Sequence, residues 1–274
     1  MFRKKILTIM LVPMLLEVCP VNADTVWTSG HHEIIDGDIY GEIWMYNDCT
    51  LDILGGDIIY VDWDANGFNN GTSWDDAYTY LQDALADANS AEKPVEIRVA
   101  QGMYRPDRSS TEPNGTGDRT ATFQLINGVT LKGGYAGPRM SLSGADPNAR
   151  DIDFYETVLS GDLNGDDIDV NDPSDLLDEP TRAENSYHVV TGRGTDETAV
   201  LDGFIVTAGN ADGPWKQRYN SGGGMYNTSS GSMVTIVRNC IFTKNSAGLG
   251  GGMCNYNASP TLTNLHLQQK LGLR

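Results

Sequence analysis

Carboxylates are the side chains of this chain best placed to do chemistry. Asp62-Trp63-Asp64-Ala65-Asn66-Gly67 sets oxygen donors at alternate positions ahead of a glycine. That is the first half of a calcium loop, with Asp62, Asp64 and Asn66 as ligands. Its twelfth position is Ser73 rather than a bidentate glutamate, so a turn leading into a helix explains the segment as well. Asp162-Leu163-Asn164-Gly165-Asp166-Asp167 is a second oxygen-rich loop, with Asp162, Asn164 and Asp166 as candidate Ca2+ ligands. Asp167 stands at its sixth position and Pro173 at its twelfth, and a solvated acidic loop is the competing reading. A chain this acidic would gain from any divalent cation that lowers its self-repulsion.

Paired carboxylates are also the tools of glycoside hydrolysis. Asp75-Asp76 and Asp166-Asp167 are such pairs, but capping explains the first and the acidic loop the second. A lyase would need carboxylates and a basic residue facing one groove. Arg98, Lys132, Arg193 and Arg238 lie in or near strands and read as outward-facing strand residues. His31-His32, His188 and His266 form no metal spacing with Cys or Glu, and His188 reads as an outward strand residue. Trp215, Tyr219 and Tyr226 flank the long excursion at 209–221. Exposed there, they would stack on sugar rings; packing of the loop onto the body is the alternative. The motif Gly222-Gly223-Gly224 lacks the strand–glycine–helix context of a phosphate cradle.

Charge narrows the partners. The 274 residues carry 19 Lys and Arg against 37 Asp and Glu, a formal charge of −18. This excludes a nucleic-acid binder, because phosphates would be repelled and no basic stripe compensates. Docking on anionic lipid is excluded for the same reason. Residues 1–23 read as a cleaved signal peptide: Arg3, Lys4 and Lys5, an apolar run from Ile6 to Leu16, and Val21-Asn22-Ala23 before Asp24. The expected address is extracellular, the cell surface or the outer membrane, with no membrane span in the mature chain. Cys49, Cys240 and Cys254 then remain, an odd set that excludes a dense disulfide framework. Cys240 reads as a small buried residue, and a Cys240–Cys254 bridge stays open.

The elements that must position these groups are short and repetitive. Gly222-Gly223-Gly224-Met225-Tyr226-Asn227 recurs as Gly250-Gly251-Gly252-Met253-Cys254-Asn255, 28 residues on. Thr235–Asn239 is echoed by Pro260–Asn264 at an offset of 25. Leu201–Val206 looks like an earlier copy. A weaker pair, Ile34–Ile39 and Ile53–Ile58, is offset by 19. Alternating runs such as Val95, Ile97 and Val99, or Val129 and Leu131, end at Gly, Asn, Asp or Pro, the signature of short strands. Repeats of this length suit a coil in which each turn stacks on its neighbours. Matching asparagines, Asn227 with Asn255 and Asn239 with Asn264, would stack as amide ladders. One helix is expected, capped by Thr72-Ser73, with Asp75 and Asp76 in its first turn and an apolar face from Trp74 through Ala77, Tyr78, Leu81, Ala84, Leu85 and Ala88. Its place is over the open N-terminal end of the coil, where a bare sheet edge would invite aggregation.

The GGGMYN motif followed by Asn239-Cys240-Ile241-Phe242-Thr243-Lys244-Asn245 resembles the polymorphic outer membrane protein repeat. Gly223, Gly224, Gly251 and Gly252 match its glycine pairs; Phe242 and Asn245 match its Phe-x-x-Asn once, and Leu267 and Lys270 depart from it. More broadly, Tyr60–Asn264 resembles secreted right-handed parallel β-helix proteins of the pectate-lyase-like superfold. The likeness is carried by Tyr60-Val61-Asp62, Asn70–Ala77, Ile97–Tyr104, Gly133-Gly134-Tyr135, Leu159-Ser160-Gly161-Asp162 and Leu201-Asp202-Gly203-Phe204. It implies an all-β right-handed parallel β-helix, and it leaves activity open, since that superfold serves lyases, hydrolases, adhesins and inert stalks. The expected organisation is a signal peptide at 1–23, a Gly/Asp-rich β segment at 24–59, a cap with its helix at 60–94, the coil at 95–264, and an atypical helix-like tail at 265–274 that suggests a truncated product. The expected function is adhesin-like binding of a polysaccharide or a cell-surface partner, without catalysis. The alternative is a polysaccharide lyase or glycoside hydrolase on the same scaffold.

Overall fold

The computed structural model describes residues 57–138, 146–228 and 235–267, and the backbone of five strands nearer the N-terminus. The chain divides into two compact units, Met1–Gly56 and Asp57–Arg274. In the first, Glu42–Tyr46 lies between Thr8–Val12 and Thr25–Trp27 in a parallel sheet. His31–Ile35 pairs in parallel with Thr50–Leu54, Ile34 opposite Ile53, so the offset of 19 is a true strand register. Apart from the backbone of Thr8–Val12, the segment 1–23 expected to be a signal peptide lies outside the described residues.

The second unit is built from three long ladders of parallel strands and one short parallel pair, Asn210–Ala211 with Ser246–Ala247. The first contains Asp57–Val61, Val95–Ala100, Val129–Tyr135, Val200–Asp202, Ile236–Arg238 and Thr261–Thr263. The second contains Gly102–Tyr104, Thr157–Ser160, Ile205–Thr207, Ile241–Thr243 and His266–Leu267. The third contains Phe123–Gln124, Val190–Arg193, Met225–Thr228 and Met253–Tyr256. From Val95 onward the chain visits the ladders in the same order on each circuit, so neighbours within a ladder come from successive turns. This is a solenoid-like, mostly-β architecture. The short strands alternate inward and outward residues, and the inward ones merge into one apolar cluster. Ile97, Leu131, Leu201 and Val237 come from the first ladder, Tyr104, Leu159, Val206 and Phe242 from the second, Phe123, Val190 and Met225 from the third.

The internal repeats are registers of this coil. Met225 stands opposite Met253 and Asn227 opposite Asn255; Val237 stands opposite Leu262. The amide ladders form: Asn227 Nδ2 donates to Asn255 Oδ1 at 2.8 Å and Asn264 Nδ2 to Asn239 Oδ1 at 3.0 Å. The repeated glycines let turns approach. A Cβ on Gly224 would sit 2.9 Å from the Phe242 ring and 2.5 Å from the Gly252 carbonyl oxygen.

Three expectations about the ends of the coil are corrected. The helix runs Leu81–Ser90, with Tyr80 at its N-cap and no capping side chain. Ser73 Oγ instead accepts from Asp76 N, and Tyr78 bridges to Val61. Trp74 leaves the helical face and packs with Tyr60 and Tyr135, its indole N–H donating to Asn148 Oδ1 at 3.0 Å. Backbone pairing of residue 78 to the first strand outcompetes the helical periodicity. The apolar face of the true helix, Leu81, Ala84, Leu85 and Ala88, still joins the common cluster. Asp57–Val61 is already the outermost strand of the first ladder, so the β segment ends at Gly56. At the other end His266-Leu267 is a strand facing Ile241 and Phe242, not a helix, because Leu265 packs onto the core and carries the chain into register. Residues 268–274 lie outside the described residues.

Candidate functional site

The first turn of the coil carries an open groove with an aromatic divider. Trp63 follows the first strand, and its indole lies against Gly102, the residue that opens the second ladder. Trp63 is 44% exposed. On one side is a hollow of about 580 Å³ whose walls include Asp62, Asp64, Asp153, Phe154 and Glu156. On the other is a hollow of about 390 Å³ lined by Tyr80, Met103, Tyr104, Arg105 and Arg108. Both share Trp63 and Gly102. Phe154 is 66% and Met103 50% exposed. Gly102 is fixed by its N–H donating to the Glu156 carbonyl oxygen at 3.0 Å, which ties the loop bearing Asp153, Phe154 and Glu156 to the floor. Tyr104 below is fully buried and its hydroxyl donates to the Ala100 carbonyl at 3.0 Å; burial, then the charges of Asp62 and Asp64, hold its pKa well above the usual value. An exposed indole beside carboxylates is the chemistry that receives a sugar: the ring face takes the C–H face of a pyranose, and the oxygens accept its hydroxyls.

The expected calcium loops fare differently. Asp62, Asp64 and Asn66 form a turn, with Asp64 N donating to Asp62 Oδ1 at 3.3 Å, and Asp62 and Asp64 belong to the groove wall. In the second loop Asp162 and Asp166 come together with Glu184, their oxygens within 4.8 Å of one another, while Asn164 is exposed. Glu184 was invisible to local spacing because it arrives from 18 residues beyond Asp166. Its Oε1 is buried without a partner, and burial, then Asp166, Asp167 and Asp162, push its pKa up. Those donors suit a hard cation in kind, though three oxygens are fewer than Ca2+ normally takes. Asp162 itself is committed to the backbone, accepting from Gly165 N at 2.6 Å.

The aromatic trio is not assembled. Trp215 is 67% exposed, but Tyr226 is 3% exposed and stacks on His188 at 5.1 Å. Tyr219 stacks face to face on Tyr187, centroids 4.5 Å apart, and Arg119 covers the ring of Tyr187. His188 therefore faces inward, against expectation, with Nδ1 donating to the Gly222 carbonyl at 3.1 Å; burial lowers its pKa to about 4. Arg193 is exposed, whereas the other basic strand residues serve ion pairs. Arg98 and Lys132 share Glu96, and Arg238 and Arg150 share Asp202. Cys240 and Cys254 are both free thiols, and burial pushes that of Cys240 up to about 12.

Among the described residues no helix is long and apolar enough to cross a membrane. No family model, curated protein or solved structure matches the chain.

Proposed function

We propose that this chain is an exported right-handed parallel β-helix protein of the cell surface or extracellular space that binds carbohydrate, without catalysis, in the groove divided by Trp63. The resemblance to pectate-lyase-like and polymorphic outer membrane proteins supports the handedness and the address, as does the leader-like composition of residues 1–23. The single observation that carries the binding function is the half-exposed indole of Trp63, seated on Gly102 between two hollows. A large apolar ring held open to solvent in the turn after a strand costs stability and is useful to a ligand.

The rim carboxylates Asp64, Asp153 and Glu156 favour a second reading, a polysaccharide lyase or glycoside hydrolase. One experiment separates the two. A glycan array identifies the bound polymer, and the same polymer is then assayed for new reducing ends and unsaturated products, with and without Ca2+. Binding that is lost in Trp63→Ala, with no product released, supports the proposal. Product formation abolished by Asp64→Asn, Asp153→Asn or Glu156→Gln overturns it in favour of the enzyme.

A further inference from the structure

The smaller hollow has a charge opposite to that of the chain. Arg105 and Arg108 both line it, joined by a turn in which Arg108 N donates to the Arg105 carbonyl at 3.4 Å. Neither guanidinium has a carboxylate within ion-pair distance among the described residues, although this protein carries 37 acidic side chains. Arg108 Nε is buried and has no acceptor. A buried donor left unmade costs the full desolvation of the group, and such atoms in native proteins ordinarily meet a ligand or water. Burial, then repulsion by Arg108, lowers the pKa of Arg105, while Asp162 and Asp107 act on it more weakly from outside the hollow.

We infer that the Arg105–Arg108 hollow binds a tetrahedral oxyanion, and that the glycan recognised in the groove is sulfated on the ring lying beyond Trp63. The inference rests on the carbohydrate reading above and names its class of ligand. Two guanidiniums on one hollow suit the tetrahedral group. Arg105 Nε is already spent on the Asp162 carbonyl oxygen at 2.6 Å, so the side-on fork is closed on that residue and its terminal Nη donors remain. Those donors and the unpartnered guanidinium edge of Arg108 suit separate oxygens of one sulfate. The aromatic walls, Trp63 and Tyr80, suit the weakly hydrated sulfate ester and the sugar ring that bears it. The carboxylates across Trp63 keep the polymer's anionic group on the arginine side, so the charge contrast sets the direction in which the chain lies.

The test uses the full mature chain. A sulfated galactan oligosaccharide, its desulfated counterpart and an oligogalacturonate are titrated by calorimetry. In parallel, sodium sulfate is compared with sodium chloride at equal ionic strength in a thermal-shift assay. The expected result is binding of the sulfated oligomer at least tenfold tighter than the other two, with Arg108→Gln losing that advantage and Trp63→Ala losing affinity for sulfated and desulfated oligomers alike. Sulfate alone should raise Tm saturably in the wild type and in Trp63→Ala but not in Arg108→Gln; Arg108→Lys, which keeps the charge, controls for folding. Equal affinity for sulfated and desulfated oligomers overturns the inference and leaves the groove reading standing. Tighter binding of the oligogalacturonate also overturns it. A saturable sulfate effect without binding of any oligomer upholds the oxyanion site and overturns the glycan assignment. No sulfate effect and no oligomer binding overturn both.

Discussion

The indole of Trp63 rests on the backbone of Gly102 so closely that a Cβ built there would enter the ring. Gly102 also holds φ at +142°, a region closed to other residues. Gly102→Ala is therefore expected to expel the indole from its seat while the rest of the coil stays folded. Affinity for the glycan that the groove is proposed to bind should fall about tenfold, one lost aromatic stack, measured by calorimetry, with the circular dichroism spectrum unchanged. Affinity equal to wild type would show that Trp63 does not organise the groove.

His188 makes stability depend on pH in a definite direction. Its ring is buried between Tyr219 and Tyr226, and its pKa falls from 6.5 to about 4 on folding. Below 6.5 the unfolded chain takes up a proton that the folded chain refuses, so stability is lost as pH falls from about 6.5 to about 4. The loss across that window is about 3 kcal/mol. His188→Phe keeps the stacking and removes the titration. Urea unfolding at several pH values should show wild-type stability falling relative to the variant by about that amount as pH drops through the window; a constant difference would contradict the assignment.

Arg182 staples one turn to the next from a position 2% exposed. Its guanidinium meets Asp167 Oδ2 at 2.8 Å and donates to the carbonyl oxygens of Gly209 and Lys244 at 3.2 and 2.9 Å. Removing one member of a buried charged pair leaves the other uncompensated. Arg182→Met should cost about 3 kcal/mol, and the double variant Arg182→Met/Asp167→Leu should recover part of that. A single-variant cost below about 1 kcal/mol in urea would mean the staple is solvated.

The repeat registers were legible because a parallel coil pairs like with like. Met225 meets Met253 and Ile34 meets Ile53, and changed offsets record only the length of an intervening loop. The groove was not legible, because Trp63, Gly102 and Phe154 come from three separate stretches, brought together only by the pairing of strands far apart in sequence. Their local contexts pointed elsewhere: Trp63 sits inside a half calcium loop, and Gly102 looks like any corner. The same local logic misplaced the helix start, since Trp74 and Tyr78 keep helical spacing while their partners, Asn148 and Val61, lie far along the chain. The metal-like cluster was half legible. Asp162 and Asp166 share a loop, whereas Glu184 reaches them across a long connection.

The Phe-x-x-Asn element has a physical meaning that a substitution can measure. Phe242 is 1% exposed in the common core. Three residues on, Asn245 is buried; its Oδ1 accepts from Gly209 N at 2.9 Å and its Nδ2 donates to the Val206 carbonyl at 2.8 Å. Both partners belong to the preceding turn, so one side chain fastens the coil from inside, where no water can replace it. Asn264, by contrast, is exposed, and its bond to Asn239 competes with solvent. Asn245→Ala should strand two buried backbone groups and cost about 2–3 kcal/mol in urea unfolding, against less than about 1 kcal/mol for Asn264→Ala. The ordering is the sharp part: equal costs for the two variants would mean that the amides stack without selecting the register, and that Phe242 alone holds these turns together.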